Sequence, residues 1–414
     1  MFELEQNMNI LEPRHLEIQW IVIDLNCFFA ACEQQEDPRL RGKPVAVAPM
    51  ITDSTCVLAA SYAAKARGIK TGTMIKEAKR MCPGLVVVQA RPQLYVDYHH
   101  RIFNTVEKCI PVADVLSVDE VACQLDKTQR TPEAITKLAH QIKSLIRTNV
   151  GECLTSSIGA ASNRLLAKLG SDMMKPDGLT ILSPEQMPHP ILHLNIEALC
   201  GIGAHMGMRL RHAGIDTMQK LWDTDDREMR RIWGSVVGAR FHALLHGVDL
   251  PAPLKPRRSI GHQHVLAPEH RHMSAALLVM RRLLARAADR LRHDNFYCCR
   301  LIIDIKWTSD LGYWVAERKF SETCSTGQLN HVLMALWADV PPQKPLRVGV
   351  TLTGLVASSH HQFNLFELPK SQALTTAIDK LNDKYGSGTI DFGVLMPPMT
   401  SKIAFQRVPD LREF

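Results

Sequence analysis

The chain has 414 residues, of which 46% are hydrophobic and 22% are charged. These proportions match ordinary globular proteins and exclude a wholly disordered or fibrous chain, and the length corresponds to two to four domains at roughly 150 residues each. The formal net charge is +7, no apolar run is long enough to predict a membrane span, and the acidic start lacks the order of a signal peptide, so we expect a cytoplasmic protein with no membrane partner.

The cysteines and the basic residues are distributed unevenly. The 11 cysteines show no Cys-x-x-Cys spacing, which favours a reducing compartment over a disulfide framework or a zinc site. Residues 1–200 carry 21 basic and 22 acidic side chains, whereas residues 251–300 carry 10 basic and 3 acidic ones. A neutral first half followed by a basic block predicts a catalytic part and a separate part that binds a polyanion.

The first 183 residues alternate between strand and helix patterns. An apolar, β-branched run over 18–24 places Asp24 at the carboxyl end of a strand, and a helix pattern begins at Phe28. Further strands are predicted over 44–48, 84–89, 115–125, 154–160 and 179–182, and further helices over 59–67, 131–147 and 162–174. This alternation predicts a mixed α/β domain.

Residues 184–248 change to helical spacing with little strand signal. Within them, Leu199-Cys200-Gly201-Ile202-Gly203 is followed by Leu210 and by Gly214-Ile215, which is the spacing of a helix-hairpin-helix motif. The glycine-rich turn of that motif offers backbone N–H groups to a DNA phosphate at a helix N-terminus. The alternative is a tight turn between two helices that holds no ligand.

The stretch 249–258 is rich in proline and predicts an extended linker between domains. Beyond it, 259–358 shows the β-α-β-β-α-β order of a ferredoxin-like unit. Its first helix is predicted over 274–291, with a buried face made of Leu277, Leu278, Leu284 and Ala288 and a row of arginines left outside. That row is either a DNA-binding surface or only a solvated basic face.

Three carboxylates are candidate metal ligands: Asp24 at its strand end, and the adjacent Asp119 and Glu120 within an apolar run where an unpaired charge is costly to bury. Neighbours in a regular strand face opposite sides, so Asp119 and Glu120 can bind one ion only at a bend or hairpin turn. With such a bend they suit Mg²⁺ and the two-ion clamp of a phosphoryl transfer. The alternative is a strand-end cap with a salt bridge.

A phosphoryl transfer also needs cations near the phosphates. Lys65 and Arg67 follow Tyr62 at a helix start, and Lys175 lies in a Lys-Pro-Asp-Gly turn. Each of these residues, taken singly, is better explained as an ordinary surface side chain.

Taken together, these patterns resemble the Y-family, or translesion, DNA polymerases, most closely the bacterial branch that includes polymerases IV and V. The resemblance runs from about residue 18 to the C-terminus. Five motifs stand in the family's order: Asp24-Leu25-Asn26-Cys27-Phe28-Phe29-Ala30; Tyr62-Ala63-Ala64-Lys65-Ala66-Arg67-Gly68; Ser117-Val118-Asp119-Glu120; Ser157-Ile158-Gly159 with Asn163, Ala167-Lys168 and Lys175-Pro176-Asp177-Gly178; and the helix-hairpin-helix followed by Arg258-Ser259-Ile260-Gly261.

The resemblance implies an α/β and α+β multidomain fold with the right-hand architecture of a polymerase. The implied parts are an N-terminal extension at 1–17, a palm at 18–30 and 90–183, fingers at 31–89, a helical thumb with the helix-hairpin-helix at 184–248, the linker at 249–258, a ferredoxin-like little finger at 259–358 and a tail at 359–414. The implied activity is template-directed, low-fidelity addition of dNTPs to a primer 3′-OH in translesion synthesis.

Carried over residue by residue, the resemblance makes Asp24, Asp119 and Glu120 the catalytic residues. With the Leu25 carbonyl, they would hold two Mg²⁺ ions. The implied nucleotide contacts are Phe28, Phe29, Tyr62, Lys65 and Lys175, with Phe29 as a steric gate under the sugar. The implied contacts to primer-template DNA are Gly201, Gly203, Arg257, Arg258 and Ser259.

The sequence departs from the family at two positions. Asn26 stands where the family has a second Asp that is not its main metal ligand, so we expect activity to survive. Lys65 offers a point charge where the family has a bidentate arginine, so nucleotide affinity or lesion choice can differ.

The rival hypothesis is a non-catalytic adaptor of the same fold that recruits another polymerase. A helix-hairpin-helix glycosylase or nuclease would leave the palm motifs unexplained.

The tail holds one further motif. Gln362, Leu365 and Phe366 follow a polar stretch, and their spacing is similar to the peptide by which bacterial polymerases dock on the sliding clamp. The alternative is that Leu365 and Phe366 fold back on their own domain.

We expect a monomer that is associated with the nucleoid of a bacterium.

Overall fold

The computed structural model describes residues 16–252, 257–308, 312–361, 370–385 and 389–390. These residues fall in two compact units, the first of which ends at Ala252. The boundary lies inside the proline-rich stretch 249–258. Each unit is described by itself.

The first unit contains both strands and helices. Its strands are β1 (Trp20–Leu25), β2 (Val45–Ala48), β3 (Ala59–Ala60), β4 (Val86–Gln89), β5 (Val112–Val115), β6 (Glu120–Gln124), β7 (Ser156–Ala161) and β8 (Leu179–Ile181). Its helices are α1 (Phe28–Glu36), α2 (Tyr62–Lys65), α3 (Ile75–Met81), α4 (Pro92–Val106), α5 (Pro132–Asn149), α6 (Arg164–Met173), α7 (Ala204–His212), α8 (Met218–Asp223), α9 (Asp226–Trp233) and α10 (Val237–Leu245).

Strand β1 is the centre of a five-stranded sheet with the order β5-β6-β1-β7-β8. All six of its residues are buried because both faces of the sheet are covered. Ile21 and Ile23 pack in a core with α1, α4 and α5, whereas Trp20 and Val22 pack in another with α6 and the helices after residue 196. The continuous apolar pattern of this strand follows from that two-sided burial.

Two sequence predictions in this unit were wrong in detail. The run 115–125 is not one strand: β5 ends at Val115, residues 117–119 bend, and β6 begins at Glu120. The helix predicted over 59–67 is shorter, because Ala59–Ala60 pairs with β2 as a strand and Ser61 caps α2 by accepting a hydrogen bond from the Ala64 N–H. Strands β3, β2 and β4 form a separate small sheet.

The second unit contains β9 (Ser259–Val265), α11 (Met273–His293), β10 (Phe296–Trp307), β11 (Tyr313–Thr323), α12 (Thr326–Trp337), β12 (Pro345–Thr353), β13 (Val356–Ala357) and α13 (Lys370–Tyr385). The sheet order is β11-β10-β12-β9, with β13 paired to β10, and α11 and α12 pack against its core. The predicted β-α-β-β-α-β order is confirmed. In the parts of the chain that the structure describes, no helix combines the length and apolarity needed to cross a bilayer.

The predicted buried face of α11 was only partly right. Leu284 and Ala288 are buried, but Leu277 and Leu278 are only half-buried. The buried face is wider than predicted and also takes in Ala275, Ala276, Val279, Met280, Leu283, Ala287 and Leu291. Two arginines of this helix are engaged within the unit, since Arg281 donates to the Asn330 side chain and Arg290 pairs with Asp294.

Candidate active site

Asp24, at the end of β1, is 3% exposed and accepts hydrogen bonds from two lysines. Lys168 Nζ lies 2.5 Å from Oδ2 and Lys175 Nζ lies 2.6 Å from Oδ1. Burial acts to raise the pKa of Asp24, but the charge of Lys168 and the hydrogen bonds from both lysines outweigh it and hold the pKa below its ordinary value. Asp24 is therefore an ionised carboxylate at neutral pH.

Asp119 and Glu120 lie at the bend that the sequence argument required. Glu120 is the register partner of Asp24, and its Oε1 lies 2.6 Å from Lys168 Nζ. Burial raises the pKa of Glu120 to about 7, and the charge of Asp24 acts in the same direction. Burial also raises the pKa of Asp119, although the Ser117 hydroxyl, which donates to Asp119 Oδ1 at 2.5 Å, opposes that shift.

The bend is held from both sides. The Leu25 N–H donates to the Asp119 carbonyl at 2.9 Å, which fastens the bend to β1. On the other side, His99 of α4 is 4% exposed and its Nδ1 lies 2.8 Å from the Val118 carbonyl. Because a carbonyl only accepts, Nδ1 carries the proton, and burial lowers the pKa of His99 to about 4, which keeps the ring neutral. Sequence reasoning missed His99, and nothing in its local pattern marks it.

The donor set suits a hard divalent cation. Asp24 and Glu120 offer carboxylate oxygens on the adjacent strands β1 and β6, and Asp119 offers its own from the bend before β6. Burial raises the pKa values of Asp119 and Glu120, so a nearby positive charge would stabilise their ionised forms. In the observed rotamers Lys168 supplies that charge, and no group of three His, Cys, Asp or Glu side chains among the described residues is close enough to hold a metal ion. Asp172, 3.2 Å from Lys168 Nζ, offers this lysine another partner.

Helix α6 brings Lys168 to the strand ends through a close approach to β7. A Cβ on Gly159 would lie 2.0 Å from the Ala167 carbonyl oxygen and 2.2 Å from the Ser171 nitrogen. Only glycine permits this packing distance. Asn163 begins the helix by accepting from the Leu166 N–H at 3.0 Å. Lys168 belongs to the motif quoted above, but sequence reasoning gave it no role.

Asn26 connects β1 to the loop that carries Lys175. The residue is 3% exposed, and its Oδ1 accepts from the Asp177 N–H at 2.7 Å and from the Thr155 hydroxyl at 3.2 Å. Its Nδ2 donates to Ser157 Oγ at 2.9 Å. Through these three hydrogen bonds, two accepted and one donated, the Asn26 amide links the end of β1 to β7 and to the loop that carries Lys175.

The two neighbouring phenylalanines of α1 differ in exposure. Phe28 is 3% exposed and packs in the core, which does not favour the predicted contact with a nucleotide. Phe29 is half-buried, and its ring stacks on Tyr95 with centroids 4.3 Å apart. Of the two, Phe29 is the ring available to a ligand.

Tyr62 and Lys65 of α2 lie close to Cys27, the residue immediately before α1. Lys65 Nζ is 4.8 Å from the centroid of the Tyr62 ring. Burial raises the pKa of the nearby Cys27 thiol, and the charge of Lys65 opposes that shift. Burial raises the pKa of the Tyr62 hydroxyl, and Cys27 and Asp24 add to the effect. Lys175 is thus hydrogen-bonded to Asp24 and Tyr62 interacts with it electrostatically, whereas Lys65 lies beside Tyr62 and Cys27.

The predicted DNA contacts lie in both units. Gly201 has φ +99°, and Gly203 is the N-cap of α7. Gly203 and the first two residues of α7 are exposed. In the second unit Arg258 and Ser259 are exposed, whereas Arg257 forms an ion pair with Asp294. The predicted clamp residues Gln362, Leu365 and Phe366 fall outside the described residues.

Comparison with known proteins places this arrangement in a family. The impB/mucB/samB family model matches residues 23–172, and the model of the impB/mucB/samB family C-terminal domain matches 257–365. The DNA polymerase IV of Moorella thermoacetica is 33% identical over 89% of this chain and 94% of its own length. The DNA polymerase IV of Pelotomaculum thermopropionicum is 31% identical over 91% and 95% respectively. A solved Y-family DNA polymerase chimera, Dbh-Dpo4(243-245)-Dbh, superposes with a TM-score of 0.68 at 25% identity, covering 82% of this chain and 99% of that one.

Proposed function

The chain belongs to the impB/mucB/samB family of DNA polymerases, and from that premise we propose that Asp24, Asp119 and Glu120 form its catalytic centre. The protein is a DNA-directed DNA polymerase of the low-fidelity, translesion type. The observation that supports the assignment of its centre is the register of β1 and β6, which sets Glu120 opposite Asp24 beside the bend at Asp119. An adaptor function alone would not require three carboxylates at the end of β1 and the neighbouring bend.

Y-family DNA polymerases use divalent metal ions, and Mg²⁺ is the proposed ion. Asp24, Asp119 and Glu120 would hold it together with the Leu25 carbonyl, and two such ions stabilise the attacking and leaving oxygens of a phosphoryl transfer. Lys168 would then pair with Asp172, which already lies within 3.2 Å. His99 and Ser117 keep the backbone of the bend in place, so that ion binding would require only side-chain rearrangements of the acids and of Lys168.

DNA and a dNTP are the substrates, and the residues around Asp24 supply the nucleotide contacts. Lys175 and Lys65 would neutralise the triphosphate, and Tyr62 would contact triphosphate and sugar. The half-buried ring of Phe29 would lie under the sugar and exclude a 2′-OH. The hydrogen bond from Lys175 to Asp24, and the placement of Tyr62 and Lys65 beside Cys27, support this set.

Template and primer would be held mainly by backbone and basic groups. The N-terminus of α7 with Gly201 and Gly203, together with Arg257, Arg258 and Ser259, would contact phosphates.

We keep the palm, fingers, thumb, linker, little-finger and tail boundaries predicted above as part of this proposal. A monomer in the bacterial cytoplasm, acting at the nucleoid, is likewise proposed.

A sliding clamp is the proposed protein partner. The support is the spacing of Gln362, Leu365 and Phe366. A tether of this kind raises the effective concentration of polymerase at the primer end without a new contact to DNA. Leu365→Ala with Phe366→Ala should abolish stimulation by a loaded clamp and leave synthesis without the clamp unchanged. Persistent stimulation would exclude the docking role.

Primer extension tests the function directly. Purified protein, Mg²⁺, four dNTPs and a labelled primer on an undamaged or abasic template should yield template-dependent extension. A matched reaction on single-stranded primer without template should yield none. An adaptor would extend neither substrate while still binding DNA.

A further inference from the structure

One buried acid of the first unit has no place in the catalytic centre. Glu33 lies one turn after Phe29 on α1 and is 4% exposed. A buried carboxylate is costly unless it is paired and hydrogen-bonded. Its partners therefore indicate what it does.

Glu33 binds two side chains at the start of α4. The Tyr95 hydroxyl donates to Oε1 at 2.8 Å, and Arg91 donates from Nη2 to Oε2 at 2.6 Å and from Nε to both oxygens at 3.1 Å. Charge-assisted bonds of this kind are short and directional. Glu33 thus fixes the tip of the Tyr95 side chain relative to α1.

The ring of Tyr95 is in turn the surface on which Phe29 rests. Tyr95 is fully buried, and the two rings are stacked with centroids 4.3 Å apart and planes 13° apart. The edge of Tyr95 also meets Phe28 at 6.5 Å. With its hydroxyl bonded and its ring enclosed, Tyr95 has one orientation, and it restricts the rotamers open to Phe29.

We propose that Glu33 is a positioning residue that acts through Tyr95 to fix the Phe29 ring and thereby sets the discrimination between ribonucleotides and deoxyribonucleotides. The inference rests on the proposed function of Phe29 as the sugar gate. A gate excludes one extra hydroxyl only if the ring cannot swing aside. Glu33, Arg91 and Tyr95 remove that freedom without touching the substrate.

A second glutamate–tyrosine pair provides a matched control for the Glu33–Tyr95 contact. One turn further along the same two helices, the Tyr98 hydroxyl donates to Glu36 Oε1 at 2.6 Å. The Tyr98 ring lies against the Arg101 guanidinium, 4.9 Å from its centroid. This pair also joins α1 to α4, so its removal reports the loss of helix packing alone.

The experiment measures kcat/KM for rNTP and dNTP incorporation by full-length Glu33→Gln, Tyr95→Phe, the double variant, Phe29→Ala, and the controls Glu36→Gln and Tyr98→Phe. We expect Glu33→Gln and Tyr95→Phe each to raise the ratio of rNTP to dNTP incorporation about three- to tenfold, because the ring gains off-rotamer positions. The double variant should exceed neither single variant, since both changes act on the same Glu33–Tyr95 hydrogen bond: phenylalanine removes it, and the neutral amide of glutamine weakens it. The control pair should keep the wild-type ratio.

Phe29→Ala tests the sugar gate separately from the positioning role of Glu33 and Tyr95. If Phe29→Ala leaves the ratio unchanged, the proposed sugar gate itself is wrong and the inference falls with it. If Phe29→Ala raises the ratio but Glu33→Gln and Tyr95→Phe do not, the gate stands and the positioning role is overturned. Should Glu33→Gln fail to fold, Tyr95→Phe decides alone, because it removes one hydroxyl and keeps the stacked ring.

Discussion

The side-chain carbonyl of Asn26 accepts the backbone N–H of Asp177 across 2.7 Å and 151 residues of sequence. Lys175 precedes Asp177 by two residues and donates a hydrogen bond to Asp24 Oδ1. Asp24 in turn precedes Asn26 by two residues. The strand that carries the central carboxylate and the loop that carries its lysine are thus joined by one amide.

Asn26→Ala should loosen that loop. It removes a buried amide that accepts from the Asp177 N–H and donates to Ser157 Oγ, so we expect a loss of about 1–3 kcal/mol in the free energy of unfolding and a rise in KM for dNTP that exceeds the fall in kcat. Denaturant unfolding and single-nucleotide kinetics measure both. Asn26→Asp should stay near wild type, because a carboxylate still accepts from Asp177 and the Ser157 hydroxyl can turn to donate. Equal damage by both variants would contradict the positioning role.

His99→Phe should disturb the bend at Asp119 from the opposite side. The ring volume is retained, but the Val118 carbonyl loses its donor, so we expect kcat to fall about five- to thirtyfold with DNA affinity unchanged. Single-turnover incorporation and fluorescence anisotropy report the two quantities. His99→Asn, whose amide can replace the Nδ1–H, should recover part of kcat. A phenylalanine variant with wild-type kcat would remove His99 from the site.

The raised pKa of Glu120 predicts an unusual pH dependence of stability. Folding moves this pKa from an ordinary value of 4.5 to about 7, so the folded state binds the proton more tightly and stability falls as pH rises through that window. Glu120→Gln does not titrate. In EDTA its free energy of unfolding relative to wild type should therefore increase by up to about 3 kcal/mol between pH 4 and pH 8.

Added Mg²⁺ provides the control for that measurement. Binding to the native state stabilises wild type by mass action and should narrow the difference at pH 8. A difference between the two proteins that stays constant across pH would show that Glu120 does not titrate in this range.

The two arginines at the start of the second unit should contribute unequally to DNA binding. Arg258 is exposed, whereas Arg257 is already paired with Asp294. If Arg258 contacts a phosphate, Arg258→Ala lowers the slope of log affinity against log salt by about 0.9, and Arg257→Ala lowers it by less. Anisotropy titrations of primer-template DNA across KCl concentrations test this. Arg39→Ala, an exposed arginine paired with Asp37, is the control.

Local patterns were sufficient for most elements and for the carboxylates. The apolar run ending at Asp24 predicted β1, and the adjacency of Asp119 and Glu120 made a shared metal site conditional on a bend, which is found. The end of β5 was missed because Val115 and Leu116 continue an apolar run into the bend. The buried face of α11 was assigned too narrowly, since that helix packs on both the sheet and α12.

The supporting contacts could not be predicted, since they join distant parts of the chain. Asn26 reaches Asp177, Lys168 reaches Asp24, and Glu33 reaches Tyr95 across 62 to 151 residues. No period or spacing within one element encodes such pairs. They follow only from the order of strands around β1 and from the packing of α1, α4 and α6 upon them.

Single-turnover dNTP incorporation by Glu120→Gln, with DNA affinity measured on the same preparation, tests the assignment of the catalytic centre. An amide cannot balance the charge of divalent ions, so we predict a rate about a hundredfold or more below wild type. The predicted DNA affinity stays within about twofold, because phosphate contacts set it elsewhere. Glu152→Gln, which neutralises an exposed acid paired with Arg41, should retain the wild-type rate. Incorporation by Glu120→Gln within about tenfold of wild type would contradict the assignment of the catalytic centre.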